Sequence, residues 1–143
     1  MRDIFFLSLF VFCAVLLTVA CKNKKETIQS DLTNIPEGSW SAITMRGDTL
    51  NKSDFSRGLP SIIFKDSTSF SGTTGCNQYM ASYTLIGNMV EIEMGPMTKM
   101  ACPGKLESIY VETLNLTNKV EVVEDIMKFY NSETELLTFK KLK

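Results

Sequence analysis

From Ser39 to the C terminus the chain is written mostly in alternation, with one interruption at helical spacing. The clearest run is Gln78 to Leu85. Tyr79, Ala81, Tyr83 and Leu85 fall on one face, and Gln78, Met80, Ser82 and Thr84 on the other. A period of two over eight residues predicts a half-buried strand. Ile86-Gly87-Asn88 turns the chain, and Met89 to Met94 returns with Val90, Ile92 and Met94 inward and Glu91 and Glu93 outward. Ser39 to Met45 is mixed, as suits a first strand covered on both faces, and Arg46-Gly47-Asp48 closes it with a turn. Asn51 to Gly58 is polar and irregular. Ser61 to Phe64 and Thr68 to Ser71 form a hairpin about Lys65-Asp66-Ser67, with Phe64 and Phe70 available to the core. Three short strands close the chain: Val120 to Val123, Ile126 to Tyr130 and Glu135 to Leu142.

Between these strand groups the period changes. Leu106, Ile109, Tyr110 and Leu114 lie at i, i+3, i+4 and i+8, the apolar stripe of an amphipathic helix. Pro103 suits its first turn and Glu107 the positive end of its dipole, so a helix is expected over about residues 103–117. Many short strands and one late helix predict a mainly β (α+β) fold, a small, open antiparallel barrel with a single helix.

The first twenty residues follow neither rhythm. After Arg2, an uncharged and mostly apolar run from Ile4 to Ala20 ends in a small residue before Cys21, which reads as an export signal. Its length is at the lower edge of the roughly 17–25 residues that span a bilayer, so a retained anchor is the plain alternative and simple cleaved secretion another. L-L-T-V-A-C resembles a bacterial lipobox, departing from it at Thr18, and this resemblance implies that Cys21 becomes the lipid-bearing first residue. Residues 1–20 are then the signal peptide. Residues 21–36, lysine-bearing and poor in apolar side chains, are the lipidated cysteine and a tether, and residues 37–143 are the folded domain. The expected location is the bacterial envelope. The absence of aspartate just after Cys21 resembles sorting to the outer membrane, facing the periplasm.

Composition removes several kinds of chemistry. Fifteen basic against sixteen acidic residues leave a formal charge of −1, with no basic field for nucleic acid. There is no histidine, so Ser-His and Cys-His nucleophiles and ordinary zinc sites lack their usual residue. Of four cysteines, Cys13 lies in the signal and Cys21 carries lipid. Cys76 and Cys102 remain, either as a disulfide or as two buried thiols.

Several motifs invite a sharper reading. Gly72-Thr73-Thr74-Gly75-Cys76-Asn77 suggests a loop with positive φ, but no phosphate-binding lysine follows. Glu91 and Glu93 share a strand face, where a solvated surface is commoner than a catalytic dyad. Arg46-Gly47-Asp48 spells an adhesion tripeptide and is more simply a turn. Met94, Met97 and Met100 are spaced as soft ligands for Cu(I), the main alternative reading, although Met94 already has an inward place on a strand.

Taken together, Trp40, Phe70 before Gly72, Gly75-Cys76-Asn77-x-Tyr79, Tyr83, Thr98-Lys99-Met100-Ala101-Cys102 and Leu137-Thr138-Phe139 resemble the META domain family. The likeness covers about residues 37–142, with Ala81 standing where the family often has glycine. It implies an HslJ-like open barrel with one helix and a disulfide between Cys76 and Cys102. It also implies a stress-related accessory role in the envelope, with no catalytic residues to carry over. The expectation is a monomeric, non-enzymatic lipoprotein without cofactor, held to the membrane through Cys21. Its cleft or open strand edge would take an apolar ligand or an envelope protein partner. Asn77, Tyr79, Tyr83 and Thr98 are the candidate contacts. The plain role of each is structural: Asn77 satisfying turn backbone, the tyrosines packing, Thr98 capping.

Overall fold

The computed structural model describes Leu32 and residues 34–143. The signal and lipidation readings, and most of the tether, lie outside these residues. Nine antiparallel strands form one sheet: β1 (Gly38–Met45), β2 (Asp48–Thr49), β3 (Ser61–Phe64), β4 (Ser69–Thr73), β5 (Gln78–Ile86), β6 (Met89–Met97), β7 (Lys119–Val123), β8 (Ile126–Asn131) and β9 (Thr134–Lys141). The order is β2-β1-β3-β4-β5-β6-β7-β8-β9, and β1 also pairs with β9, which bends the sheet into a ring. The ring is not a regular barrel. β6 and β7 share the single register pair Met89↔Lys119, flanked by Val90 N–H to Asn118 O at 3.0 Å and Val120 N–H to Asn88 O at 2.8 Å. The helix α1 (Leu106–Asn115) connects the two strands and packs against β6 and β9.

Alternation places the core as expected. Tyr79, Ala81 and Tyr83 of β5 are buried while Gln78, Met80, Ser82 and Thr84 are exposed. Trp40, Ile62, Phe64, Phe70, Phe129, Leu137 and Phe139 fill the ring, and α1 adds Tyr110 and Leu114, both fully buried. In β1 the alternation slips. A bulge between Ala42 and Thr44 shifts the pairing with β9, so that Trp40, Ala42 and Met45 all point inward.

Several expected boundaries move. The helix is shorter than residues 103–117: Gly104 takes φ +92° and Lys105 forms the cap, so Pro103 stays outside. At the other end, Asn118 donates its backbone N–H to Tyr130 O at 2.9 Å and has already joined the sheet. Gly72 belongs to β4 rather than to a loop, and β6 runs three residues beyond Met94. Ile35, inside the range assigned to the tether, is buried in the core, and Leu32 packs against it. Arg46 and Gly47 make the expected turn, with φ of 53° and 90°. The Arg46 guanidinium is drawn back onto α1 by Thr113 Oγ1 at 2.8 Å and Glu112 at 3.1 Å.

Candidate functional site

β4 carries short side chains where its neighbours carry long ones, and this opens a groove. Ser71, Gly72 and Thr73 form the floor, and Ser61 and Ile63 of β3 border it on one side. On the other side stand Gln78 and Met80 of β5 and Pro96, Met97 and Thr98 at the end of β6. The volume is about 600 Å³. None of the lining residues carries a charge at neutral pH, in a chain in which 22% of residues are charged. Met80 is 60% exposed and Met97 38%, so the apolar wall is presented to solvent. Among the described residues the polar side-chain groups of Ser61, Ser71 and Gln78 have no hydrogen-bond partner.

Gly72 is required on this floor. A Cβ built there would lie 2.0 Å from Ser61 O and 2.7 Å from Tyr79 Oη. That space is taken by the Tyr79 ring, whose hydroxyl crosses the glycine to donate to Ser61 O at 3.2 Å. The Tyr79 and Tyr110 hydroxyls hydrogen bond to each other at 2.9 Å. Burial pushes both phenols well above their ordinary pKa, and both stay neutral.

One end of the groove is braced by a polar corner. Asn77 is 3% exposed, and its side chain is fully engaged. Its Nδ2 donates to Glu107 Oε1 at 2.8 Å and to Met100 O at 3.1 Å. Its Oδ1 accepts from Thr98 Oγ1 at 2.8 Å and from Met100 N–H at 2.7 Å. Thr74 closes the same turn, with Oγ1 accepting from Asn77 N–H at 2.8 Å and donating to Glu107 Oε1 at 2.7 Å. The disulfide Cys76–Cys102 ties the corner covalently. For a separation of 26 residues the chain-entropy account gives about 3.5 kcal/mol. Gly75, at φ +85°, makes the turn, and a Cβ there would strike Phe55 Cδ1 at 2.4 Å. The segment from β6 to α1 is thus held from three sides.

The structure distributes the four candidate contacts unevenly. Thr98 lines the groove, caps β5 by accepting from Gln78 N–H at 3.1 Å, and holds Asn77. Tyr79, 2% exposed, joins the lining from beneath, across the Gly72 floor. Asn77 braces the corner from below. Tyr83 is elsewhere, packed edge-on against Phe64 and donating to Asp66 O at 3.2 Å. The three methionines have separate surroundings. Met94 packs on the core, Met97 lines the groove, and the Met100 sulfur accepts from Arg57 Nη1 at 3.3 Å. Glu91 and Glu93 are exposed on the outward face of β6. Among the described residues no three Asp, Glu or Cys side chains gather as a metal site. Sequence reasoning missed Glu107 as the partner of the G-C-N turn and missed the outward face of β4 altogether. The available signal was S-G-T, three small residues in a row on a strand.

The META domain profile matches residues 30–143, a range that includes every described residue. The chain belongs to the META domain family. Its fold is similar to a protein solved by NMR, with a TM-score of 0.58 at 17% identity over 73% of this chain and 89% of that one. It is also similar to a crystal structure of a DUF4847-family protein from Bacteroides vulgatus ATCC 8482, with a TM-score of 0.54 at 15% identity over 75% and 95%. A protein from Burkholderia xenovorans, solved by NMR, gives a TM-score of 0.51 at 23% identity over 75% and 83%. At these identities the likeness concerns the fold alone. No curated protein matches the sequence. The open ring, the one α-helix of the described residues and the disulfide of this META domain agree with what the sequence resemblance implied.

Proposed function

We propose that this META domain is a non-enzymatic binding module of the bacterial envelope, tethered by lipid at Cys21, and that its groove takes an uncharged, extended peptide segment of an envelope protein. The observation that carries this reading is the groove of about 600 Å³ with no charged lining residue, a hydroxyl-bearing floor and a methionine wall. Methionine is flexible and polarizable, and suits surfaces that accept varied apolar side chains. The hydroxyls distinguish a peptide from an acyl chain. An acyl chain laid over Ser61, Ser71 and Gln78 would strip water from polar groups and return no hydrogen bond, whereas peptide amides would replace the lost water. The absence of histidine and the inward engagement of Glu107 support a role without chemistry of its own.

A fluorescently labelled peptide of alternating valine and threonine, blocked at both ends, tests the groove. Saturable binding that is lost in Ser71→Trp, which fills the floor from an outward position, is the expected result. Binding unaffected by Ser71→Trp, or binding of decanol in place of the peptide, overturns the peptide reading. The anchor is tested separately: Cys21→Ala is expected to abolish palmitate labelling in a lipoprotein-processing bacterium and to release the domain from the membrane fraction.

A further inference from the structure

Four methionines stand among the most exposed apolar side chains of the described residues, and their placement is uneven. Met80 and Met97 form one wall of the groove, 60% and 38% exposed. Met89, at 52%, sits at the opposite end of β6. Met100, at 40%, lies beside the groove with its sulfur against Arg57. Met45 and Met127 are sealed in the core at 5% and 0%. A chain that needed only a smooth apolar wall could use leucine at both groove positions. Thioethers add one chemical property that leucine lacks, the capacity to accept an oxygen atom reversibly.

We propose that Met80 and Met97 are an oxidant-responsive pair, and that their conversion to sulfoxide by peroxide releases the peptide from the groove. This rests on the peptide reading above. In each step the thioether sulfur attacks one peroxide oxygen. An S–O bond forms, the O–O bond breaks, and the departing hydroxide takes the proton from the oxygen now bound to sulfur, leaving as water. Sulfur is oxidised by two electrons and peroxide is reduced by two. The product is polar and chiral, so the wall that met apolar side chains now holds a strong hydrogen-bond acceptor that those side chains cannot satisfy. Neither residue contributes to the buried core, so the fold survives the change. The polar corner at Asn77 does not involve either sulfur.

The experiment compares binding of the same labelled peptide before and after hydrogen peroxide, with sulfoxides mapped by peptide mass spectrometry. Treated protein is expected to carry sulfoxide at Met80 and Met97 and to bind roughly tenfold more weakly. Met45 and Met127 are expected to stay unmodified, which reports that the fold remained closed. For the Met80→Leu/Met97→Leu protein, close in volume, the readout is the ratio of treated to untreated affinity, which should stay at one whatever the starting value. The Met89→Leu/Met100→Leu protein should lose binding as the unsubstituted protein does. Unchanged affinity with both sulfoxides present overturns the proposal, as does equal loss in the Met80→Leu/Met97→Leu protein. If untreated protein does not bind the peptide, the groove reading itself falls, and this inference with it.

Discussion

Asn77 offers the most exacting test of how the domain holds its groove. Asn77→Ala removes five hydrogen bonds made by one buried side chain: to Glu107 at 2.8 Å, to Met100 O at 3.1 Å, to the Cys76 sulfur at 3.4 Å, from Thr98 at 2.8 Å and from Met100 N–H at 2.7 Å. A neutral hydrogen bond contributes about 0.5–1.5 kcal/mol and one to a charged group about 1.5–3. The full loss is moderated because Met100 is exposed, and water can reach its freed backbone groups. A destabilisation of about 3–4 kcal/mol is expected. In urea, at a slope of about 1.5–2 kcal/mol/M, that lowers the midpoint by about 2 M. Asn77→Asp refines the test. The substitution keeps the shape and sets a new carboxyl group against the Glu107 carboxylate, so like charge pushes the new group's pKa up in the folded state. With its folded value above the unfolded value, near 4, the variant's deficit is smallest below about pH 4 and grows as pH rises through the folded pKa. Equilibrium urea unfolding of the oxidised domain at pH 4 and pH 7 measures both. A cost below about 1 kcal/mol for Asn77→Ala would show that the disulfide alone positions this corner. An Asn77→Asp deficit independent of pH would refute the contact with Glu107.

Two other perturbations probe the frame. Gly72→Ala places a methyl 2.0 Å from a backbone carbonyl that cannot rotate away, so β3 and β4 must separate, and a loss of about 3 kcal/mol in thermal or urea unfolding is expected. Gly95→Ala, where the nearest obstacle is Met80 O at 3.1 Å, should cost clearly less, and equal costs would mean that Gly72 is not a packing requirement. Asp66 accepts from Thr68 N–H and Ser69 N–H at 2.8 and 2.7 Å and from both hydroxyls, which holds its carboxyl at about 2. The folded pKa is below the unfolded one. Its contribution is therefore complete above about pH 4 and is lost as pH falls toward 2. Thermal melts between pH 5 and pH 2 should show this acid loss in the wild type and not in Asp66→Asn, and parallel curves would refute it.

What the sequence disclosed follows from how local each signal was. The alternation of β5 is carried by eight consecutive residues, and the stripe of α1 by a single helix, so neither depended on knowing the rest of the chain. The bulge in β1 has no such signature, because Met45 turns inward only through its pairing with Leu137 of β9. Phe55 is similar: an isolated aromatic in a polar stretch, it is buried only because Gly75 leaves a place for its ring. Glu107 and Asn77 are thirty residues apart and meet because the disulfide draws the segment before α1 against the G-C-N turn. The cysteines were legible as a possible pair. Their consequence, a carboxylate and an amide brought together over a glycine turn, required the register of four strands.

The same register decides between the two ways in which an open ring could receive a partner. β6 leaves β7 after one register pair, and a strand edge left free in this way is a ready template for another chain. Here the edge is guarded. Glu91 and Glu93 project from its exposed face, and Pro96 removes a backbone donor near its end. Helix α1 then packs against the strand. Each feature opposes the addition of a strand from outside. The groove over β4 is free of that charge and of the helix: its floor side chains are short, its lining is uncharged, and the Ser61 and Ser71 hydroxyls have no partner among the described residues. Negative charge placed along the edge and withheld from the groove, on one continuous sheet, favours side-chain and amide recognition on the sheet face over strand addition at the crack.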